Sequence, residues 1–540
     1  MIALTAIPRE RHSKVLIGVA LAAALALLGA AAHAAETVAT PKRGGVLEFA
    51  VDAEPSNYDC SANISFAFLH PIAPHYSTLL KFDAENYPQV KGDLAESWSV
   101  SADKLAYTFR LHPNVLFHDG SRLSSADVKA SYERIAHPPQ GVISARQVNF
   151  AAIAQIETPD AETVVFRLRW PEAAMLANFA SPWNCIYSAA KLKEDPLFPQ
   201  KHILGSGGFS FVEHVVGDHW IGKRFERYFE KDRPYLDGYR ADFTTEPKAV
   251  EAIEQGRMMA EFRSVTPQER DRLVESLGDK IVVSEAPWIN NILVTFNTKK
   301  PPLDDARVRR ALSLAIDRWD AAERLSGVSF LKYVGGVLRP GFAMATPEAE
   351  LAALPGFGHD IEAARGEARR LLAEAGVKEL KLKLTNRNLA SPYFPAADYL
   401  KEAWRAVGVE LSEERLPNKE WQAAMEKGSF EVSFDFVGDY FDDPTLQLTK
   451  FVSTDLSPVN YAYSEDRFLD ALYVGQAVTA DPRQRSRMVR DFERHALAQA
   501  YAVPFLWWNR IVVTSAKVKG WHMTPSHFIE QDLTDVWLDR

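Results

Sequence analysis

The chain has 540 residues, 47% of them hydrophobic and 25% charged, and a formal net charge of −9. This length exceeds what one ordinary hydrophobic core serves, so we expect two or more lobes. An acidic chain without a basic stripe argues against a nucleic-acid partner.

The N-terminus has the pattern of an export signal. Basic residues within 9–14 precede an apolar run over 15–32, and Ala32 and Ala34 lie where a signal peptidase requires small residues. We predict that residues 1–34 are a signal peptide and that the mature protein is periplasmic. That segment holds three basic and one acidic residue, so cleavage changes the charge to about −11. A retained membrane anchor is the alternative.

Cys60 and Cys185 are the two cysteines of the sequence. In an oxidising compartment such a pair can persist as a disulfide, and we favour that pairing. Two buried thiols are the alternative, because the sequence does not fix the distance between the Cα atoms. No Cys/His spacing typical of a metal site occurs, so we predict neither metal nor cofactor.

Strand-like and helix-like segments alternate from the start of the mature chain. Val46–Val51, residues 107–111 and Thr163–Leu168 have β-rich patterns. Ser124, followed three residues later by Asp127, predicts the N-cap of a helix.

The middle of the chain begins a second series of elements. A strand at 292–296 leads into a helix that Asp304 or Asp305 can cap, and the helix has a continuous apolar face. Arg307, Arg309 and Arg310 lie mostly off that face, so we expect them to be solvated.

The same unit then repeats. Strands are predicted at 380–385, Val409–Leu416 and 430–436, with helices at 396–407 and 420–427 between them. This alternation predicts a mostly parallel sheet covered by helices.

These segments predict an α/β fold with two lobes. Lobe I comprises 35–288 and 509–540, with an inserted subdomain at about 83–220, and lobe II comprises 289–508. The return of the C-terminal segment to lobe I gives two crossings between lobes, hence a hinge.

The sequence lacks the local motifs of several enzyme classes. It has no G-x-S-x-G, no phosphate-binding G-x-x-x-x-G-K-[ST], no dinucleotide G-x-G-x-x-G and no H-E-x-x-H. These absences argue against an enzyme. A secreted hydrolase stays a minor alternative, because the carboxylate pairs of hydrolases have no fixed spacing.

Three stretches carry motifs in a characteristic order. Residues 95–128 contain A-E-S-W, Y-T-F-R-L and F-H-D-G; residues 296–317 contain F-N-T and R-V-R-R-A-L; residues 438–445 read G-D-Y-F-D-D-P-T. Together they resemble the peptide/nickel-type extracellular solute-binding proteins, which include the oligopeptide- and dipeptide-binding proteins. The segments 68–82 and 211–229 look most like the branch for murein-type or modified peptides.

The resemblance implies a Venus-flytrap protein without enzymatic activity. Such a protein closes two lobes on a small peptide-like ligand and delivers it to the permease, and through it to the ATPase, of an ABC importer. It also implies a monomer without a cofactor. The same fold and role for a non-peptide solute, such as an opine or sugar-phosphate, an oligosaccharide, a haem or a metal chelate, is the alternative.

The resemblance also points to ligand contacts after the strand at 430–436. In oligopeptide-binding relatives the aspartate that matches Asp439 pairs with the ligand's α-amine, so Asp439 is the expected anchor. Phe436 is the expected aromatic wall, with Tyr440 beside the anchor. The loop after Tyr440 is one residue longer here than in those relatives, which leaves a loop-capping role for Asp439 as the alternative.

Further candidates lie near the predicted crossings and after the first strand. Trp288 and Asn290 precede the entry into lobe II, and Trp507 and Trp508 precede the return. Asn63 follows the first strand. Tryptophan can stack on a ligand and asparagine can donate and accept hydrogen bonds. Packing between the lobes is the alternative role.

Overall fold

The computed structural model describes residues 40–438 and 440–540 as an α/β protein. The strands of this part of the chain are β1 Val46–Val51, β2 Leu80–Phe82, β3 Val90–Gly92, β4 Ala95–Val100, β5 Ala106–Leu111, β6 Ile153–Asp160, β7 Thr163–Leu168, β8 Phe209–Val215, β9 His219–Arg224, β10 Gly238–Phe243, β11 Ala260–Glu261, β12 Ile281–Phe296, β13 Leu331–Tyr333, β14 Leu380–Arg387, β15 Val409–Leu416, β16 Val432–Asp435, β17 Ala502–Ser515, β18 Val518–Lys519 and β19 Trp537–Leu538.

The α-helices of the same residues are α1 Phe66–Ile72, α2 Ser125–Ala136, α3 Met175–Phe179, α4 Ala189–Glu194, α5 Glu246–Glu254, α6 Pro267–Leu277, α7 Ala306–Leu314, α8 Arg318–Leu325, α9 Glu348–Leu351, α10 Ile361–Glu374, α11 Tyr393–Arg405, α12 Asn418–Glu426, α13 Pro444–Gln447, α14 Arg467–Val478 and α15 Pro482–Gln499. None of the helices in the described residues is long and apolar enough to cross a membrane.

One large sheet runs through most of the described chain in the order β15-β14-β16-β12-β17-β11-β1-β10-β9-β8, with β13 added on β17. We call the part built on β1 and β8–β11 the first lobe and the part built on β13–β16 the second lobe. The strands β12 and β17 are long enough to belong to both.

The two lobes are joined through the antiparallel pair β12 and β17. Residues 281–287 of β12 pair with 509–515 of β17 beside the first lobe, and residues 291–295 pair with 502–507 beside the second. The register shifts between Pro287 and Leu293. Irregular pairing of this kind bends and twists a strand pair.

The first lobe combines the large sheet with a separate antiparallel sheet of order β4-β5-β7-β6, on which α2 packs. The predicted strands at 46–51 and 163–168 are confirmed as β1 and β7. The predicted helix start is confirmed as a capping box of Ser124 and Asp127. The strands β8 and β9 join the large sheet. The four-stranded sheet therefore does not include them, and the expected subdomain at about 83–220 stays a prediction.

The second lobe contains the predicted β-α units. The strand β15 has the predicted bounds, and β14 is parallel to both β15 and β16. The expectation of a mostly parallel sheet is wrong for the whole, because β12 and β17 pair antiparallel with each other and with β16 and β11. The sheet is mixed because its two long strands run in opposite directions between the lobes.

Arg307 is exposed as expected, whereas Arg309 is buried and Arg310 is half-buried, which corrects their expected position. Arg309 is 3% exposed and its guanidinium donates to the carbonyl of Gln499 at 3.0 Å. Arg310 donates from Nε to the carbonyl of Ala498. Both arginines therefore satisfy carbonyl groups at the end of α15, which a helical pattern cannot reveal.

The structure joins Cys60 to Cys185 by a disulfide, with the Cα atoms 6.1 Å apart. The bridge links the loop after β1 to the segment before α4, over a separation of 125 residues. Arg146 donates to the carbonyl groups of Cys60 and Asn63, which fixes the same loop from a second side.

Candidate functional site

The crossing between the lobes carries a cluster of aromatic rings. The Trp288 and Trp508 centroids lie 5.6 Å apart, and Trp508 lies 6.3 Å from both Phe330 and Tyr393. Trp288 comes from β12 and Trp508 from the neighbouring strand β17, so two adjacent strands place both indoles on one face. The Trp508 Nε1 is buried and has no hydrogen-bond partner among the described residues.

Trp288 is held in place by a histidine of the C-terminal segment. Its Nε1 donates to Nδ1 of His527 at 3.0 Å. Burial, with the Arg263 and Arg510 guanidinium groups nearby, holds the pKa of His527 well below its usual range. His527 is therefore neutral at physiological pH and can accept this bond at Nδ1.

The first lobe contributes a guanidinium to this face. Arg263 lies over Phe66 at 4.5 Å and over Trp288 at 6.0 Å, measured from Cζ to the ring centroids. It pairs with Asp52 at 3.4 Å, just after β1. One acid therefore balances the positive charge of Arg263.

The second lobe contributes Arg387, the last residue of β14. Its guanidinium lies 3.7 Å from the Trp421 ring centroid, 4.6 Å from Phe436 and 5.4 Å from Tyr393. Its Nε is buried without a hydrogen-bond partner, and no carboxylate of the described residues pairs with it. Stacking on aromatic faces fixes a guanidinium while its N–H groups stay directed outward in the plane.

The segment after β16 runs beside this guanidinium. Phe436 is half-buried and lies between Arg387 and Lys450, whose Nζ is 5.6 Å from the ring. Lys450 pairs with Asp435 at 2.9 Å. Lys450 and Arg263 are each paired with a carboxylate, whereas Arg387 has no carboxylate partner in the part of the chain that the structure describes.

Asn290 meets the same segment from β12. A Cβ added at Gly438 would meet Asn290 Oδ1, so the Asn290 side chain lies directly against this segment. The neighbouring Asn291 accepts from the backbone N–H of Val437 at 2.8 Å. The structure thus brings together Trp288, Asn290, Phe436 and Trp508. Asp439, the expected anchor, lies outside the described residues.

Tyr440 points away from this group. Its hydroxyl is hydrogen-bonded to Asn149 at 3.1 Å and to Asn178 at 3.4 Å, both in the first lobe. Its ring is 5.6 Å from Trp183. These contacts of Tyr440 therefore join the lobes, and its expected role as a ligand contact stays a prediction.

Trp507 and Asn63 also have other partners. Trp507 is fully buried on the opposite face of β17 from Trp508, and its Nε1 donates to the carbonyl of Gly336 at 3.0 Å. Strand alternation explains this separation of neighbouring tryptophans. The Asn63 amide donates to Asn57 at 2.9 Å and to the Asp59 carbonyl at 2.8 Å, within its own loop. Both side chains therefore have partners within the protein, and their expected contacts with a ligand stay predictions.

Arg387 and Arg263 were not predicted from the sequence. A signal for Arg387 was present, since ligands of open α/β sheets bind beyond the carboxyl ends of strands and Arg387 ends β14. The predicted strand stopped at residue 385, two residues too early to show it. No local pattern marks Arg263, which reaches the site through its contacts with Phe66 and Trp288.

Comparison with known proteins places this geometry among known folds. The family model of the bacterial extracellular solute-binding proteins, family 5 (middle region), matches residues 89–457. A probable D,D-dipeptide-binding periplasmic protein of Escherichia coli (strain K12) is 25% identical over 489 residues, covering 88% of this chain and 90% of that protein.

Solved structures share the fold. The binding protein AgaA from A. tumefaciens R10, in complex with agropinic acid, has a TM-score of 0.75 at 24% identity and covers 92% of this chain and 99% of its own. A dipeptide-binding protein of Pseudoalteromonas sp. SM9913, in complex with Met-Leu, has a TM-score of 0.75 at 21% identity, with coverage of 92% and 100%.

Proposed function

The chain belongs to family 5 of the bacterial extracellular solute-binding proteins, and on this premise we propose that it captures a short or modified peptide with a free carboxylate in the cleft between its lobes. It acts without chemistry on the ligand and passes it to the permease of an ABC importer. Residues 1–34 direct its export to the periplasm and are removed there.

We place the hinge between the lobes at the strand pair β12 and β17. The shifts in register between Pro287 and Leu293 support bending at that point, close to the expected boundaries at 288–289 and 508–509. Closure about this hinge holds Arg263 and Trp288 near the carboxyl end of β14, as in this structure. The site would then lose water, which strengthens charge-assisted hydrogen bonds to a ligand.

The environment of Arg387 is the observation that favours a ligand with a free carboxylate. A guanidinium held among Trp421, Phe436 and Tyr393, with no carboxylate paired to it within residues 40–438 and 440–540, is suited to a planar carboxylate, which it can bind through two parallel N–H···O bonds. Asp439, three residues after Phe436, stays the proposed partner of the α-amine. A dipeptide supplies both end groups within a short span.

The test uses end-group variants of one peptide. Native mass spectrometry and calorimetry with Met-Leu, its C-terminal amide and its N-acetyl form would compare the same side chains with either charge removed. We expect binding of Met-Leu and a loss of at least about 30-fold in affinity for the amide. Equal affinity for acid and amide would contradict the role of Arg387, and the N-acetyl form tests Asp439 separately.

A second candidate ligand is a non-peptide carboxylate such as an opine. The fold is shared with a protein solved with agropinic acid, and the longer loop after Tyr440 departs from the oligopeptide-binding pattern. Mass spectrometry of ligand released from protein purified out of its periplasm decides between the two. A non-peptide mass would replace the ligand class and leave the importer role standing.

A further inference from the structure

The loop between β16 and α13 belongs to the second lobe by sequence, yet two of its side chains are buried in the first. Phe441 is 1% exposed and its ring lies 5.4 Å from Phe82, on β2. Tyr440 is 5% exposed and joins the same hydrophobic core. These contacts form only when the lobes are together.

Polar contacts accompany this insertion. The backbone N–H of Asp442 donates to the hydroxyl of Tyr87 at 2.8 Å. The Tyr440 hydroxyl is shared between Asn149 and Asn178. Each of these groups would return to water if the lobes separated, so the hydrogen bonds give orientation more than net energy.

The base of the loop is fixed to the second lobe by two buried ion pairs. The Asp442 carboxylate accepts from Arg339 at 2.9 Å, and the side chains are 0% and 7% exposed. Asp443 pairs with Arg485 at 2.6 Å and caps α13 through the Thr445 N–H. Because its base cannot swing freely, the loop moves with the second lobe as a rigid projection.

We propose that residues 440–442 form a clasp that holds the lobes closed, and that the clasp sets how long a bound ligand is retained. The part of this inference that concerns ligand retention rests on the proposed function. The contact that closes the lobes does not depend on it. Burial of the Phe441 ring in the core of the first lobe favours the closed state by about 10- to 100-fold.

The position of the clasp connects it to the ligand site. Asp439 immediately precedes it, and Phe436 and Gly438 lie beside Arg387 and Asn290. One continuous segment therefore meets the ligand site with its first half and the opposite lobe with its second. The additional residue in this loop gives Phe441 a place between Tyr440 and the two anchored aspartates.

Spin-label distance measurements test the clasp directly. Cysteines introduced at Val216 in the first lobe and Leu389 in the second would carry the labels, since these side chains are 76% and 47% exposed and the native cysteines are bridged. Distance distributions would be recorded for the full mature protein alone and with Met-Leu at a saturating concentration of about 1 mM.

We expect Phe441→Ala to lower the closed-to-open ratio at least about 10-fold, and Tyr440→Phe to lower it about 3-fold. Phe468→Ala, which removes a ring that is 54% exposed on α14, serves as the control and should leave the ratio unchanged. Dissociation of Met-Leu, followed by stopped flow, should accelerate by matching factors.

Several outcomes would overturn the clasp. Folded Phe441→Ala and Tyr440→Phe proteins with the wild-type ratio would do so, as would a wild-type protein without a closed population in either condition. If Met-Leu does not shift the wild-type distribution but the variants still open it, the peptide proposal fails and the clasp stands. Tyr440→Phe keeps the test valid if Phe441→Ala does not fold.

Discussion

The two sides of Asp439 differ in how their charged neighbours are satisfied. Upstream, Phe436 lies beside Arg387, a guanidinium with aromatic neighbours and no acid among the described residues. Downstream, Arg339 and Arg485 each form a buried ion pair with an aspartate of the loop. Paired charges fix the position of a loop, whereas an unpaired cation in a cleft is available to a ligand. The difference separates scaffold from site within eight residues of sequence.

Removal of a paired arginine should produce the largest change in stability. Arg339→Met would leave the Asp442 carboxylate buried without its cation, and we expect the free energy of unfolding to fall by about 3–5 kcal/mol. Denaturant unfolding followed by circular dichroism measures this loss. Arg370→Met removes an exposed ion pair on α10 and should change stability by less than about 0.5 kcal/mol. A similar, small effect for both variants would break the comparison.

Removal of the unpaired arginine should have the opposite profile. Arg387→Met should weaken Met-Leu binding by about 30- to 100-fold, because a charge-assisted pair is lost, and change the unfolding free energy by less than about 1 kcal/mol. Calorimetry and unfolding of the same preparation give both values. Arg387→Lys should recover part of the affinity, since it keeps the charge without the planar pair of donors. A large loss of stability would assign Arg387 to the scaffold.

The sequence predicted the strands and helices that hold these residues but not the side-chain partners of the arginines. The β-α units of the second lobe were visible because each strand and helix has its own periodic pattern, and β15 was predicted to the residue. The strand at 292–296 proved to be the end of β12, which begins at Ile281. Its first half has no strong pattern because pairing with β17, far away in sequence, holds it in the sheet.

Arginines were the least predictable side chains. In the sequence, Arg309 and Arg387 look equally like surface residues, yet Arg309 is buried against carbonyl groups and Arg387 lies among aromatic rings. The identity of the partner decides the role of each, and the partners come from distant segments. Phe441 is similar, because its burial depends on Phe82 in the other lobe.

Glu172 differs from both the paired arginines and Arg387. It is a carboxyl between the lobes whose charged form is disfavoured by burial. It lines a cavity of about 250 Å³ together with Lys104, Tyr107, Met344 and Arg485. Burial and, to a smaller extent, Asp443 raise its pKa, the Ala174 N–H and Arg485 lower it, and together they place it at about 7. Folded protein therefore retains a proton here that unfolded chain releases near the ordinary glutamate pKa.

Protonation of Glu172 should make stability fall with rising pH. Between about pH 4.5 and 7 the unfolded chain binds fewer protons at this position, so we expect a loss of roughly 1–3 kcal/mol across that window. Glu172→Gln should remove this slope, and the difference between the two pH profiles of unfolding isolates it. The buried His70 and His75, each with a pKa of about 3, lower stability toward acid in both proteins and cancel in that difference. Parallel profiles would place the Glu172 carboxyl in water.

The adjacent residues Trp507 and Trp508 of β17 allow the smallest test of the difference between a side chain that stabilises the fold and one that binds ligand. Trp507→Phe would leave the Gly336 carbonyl without its indole donor and open space in a core, so unfolding should become easier by about 1–2 kcal/mol with little change in Met-Leu affinity. Trp508→Phe removes an Nε1–H that has no partner in the described chain, so stability should change less and affinity more. Calorimetry and denaturant unfolding on both variants compare the two faces of one strand. If Trp508→Phe loses stability and keeps affinity, the aromatic cluster at the crossing is packing between lobes, and Arg387 would have to hold the ligand without it.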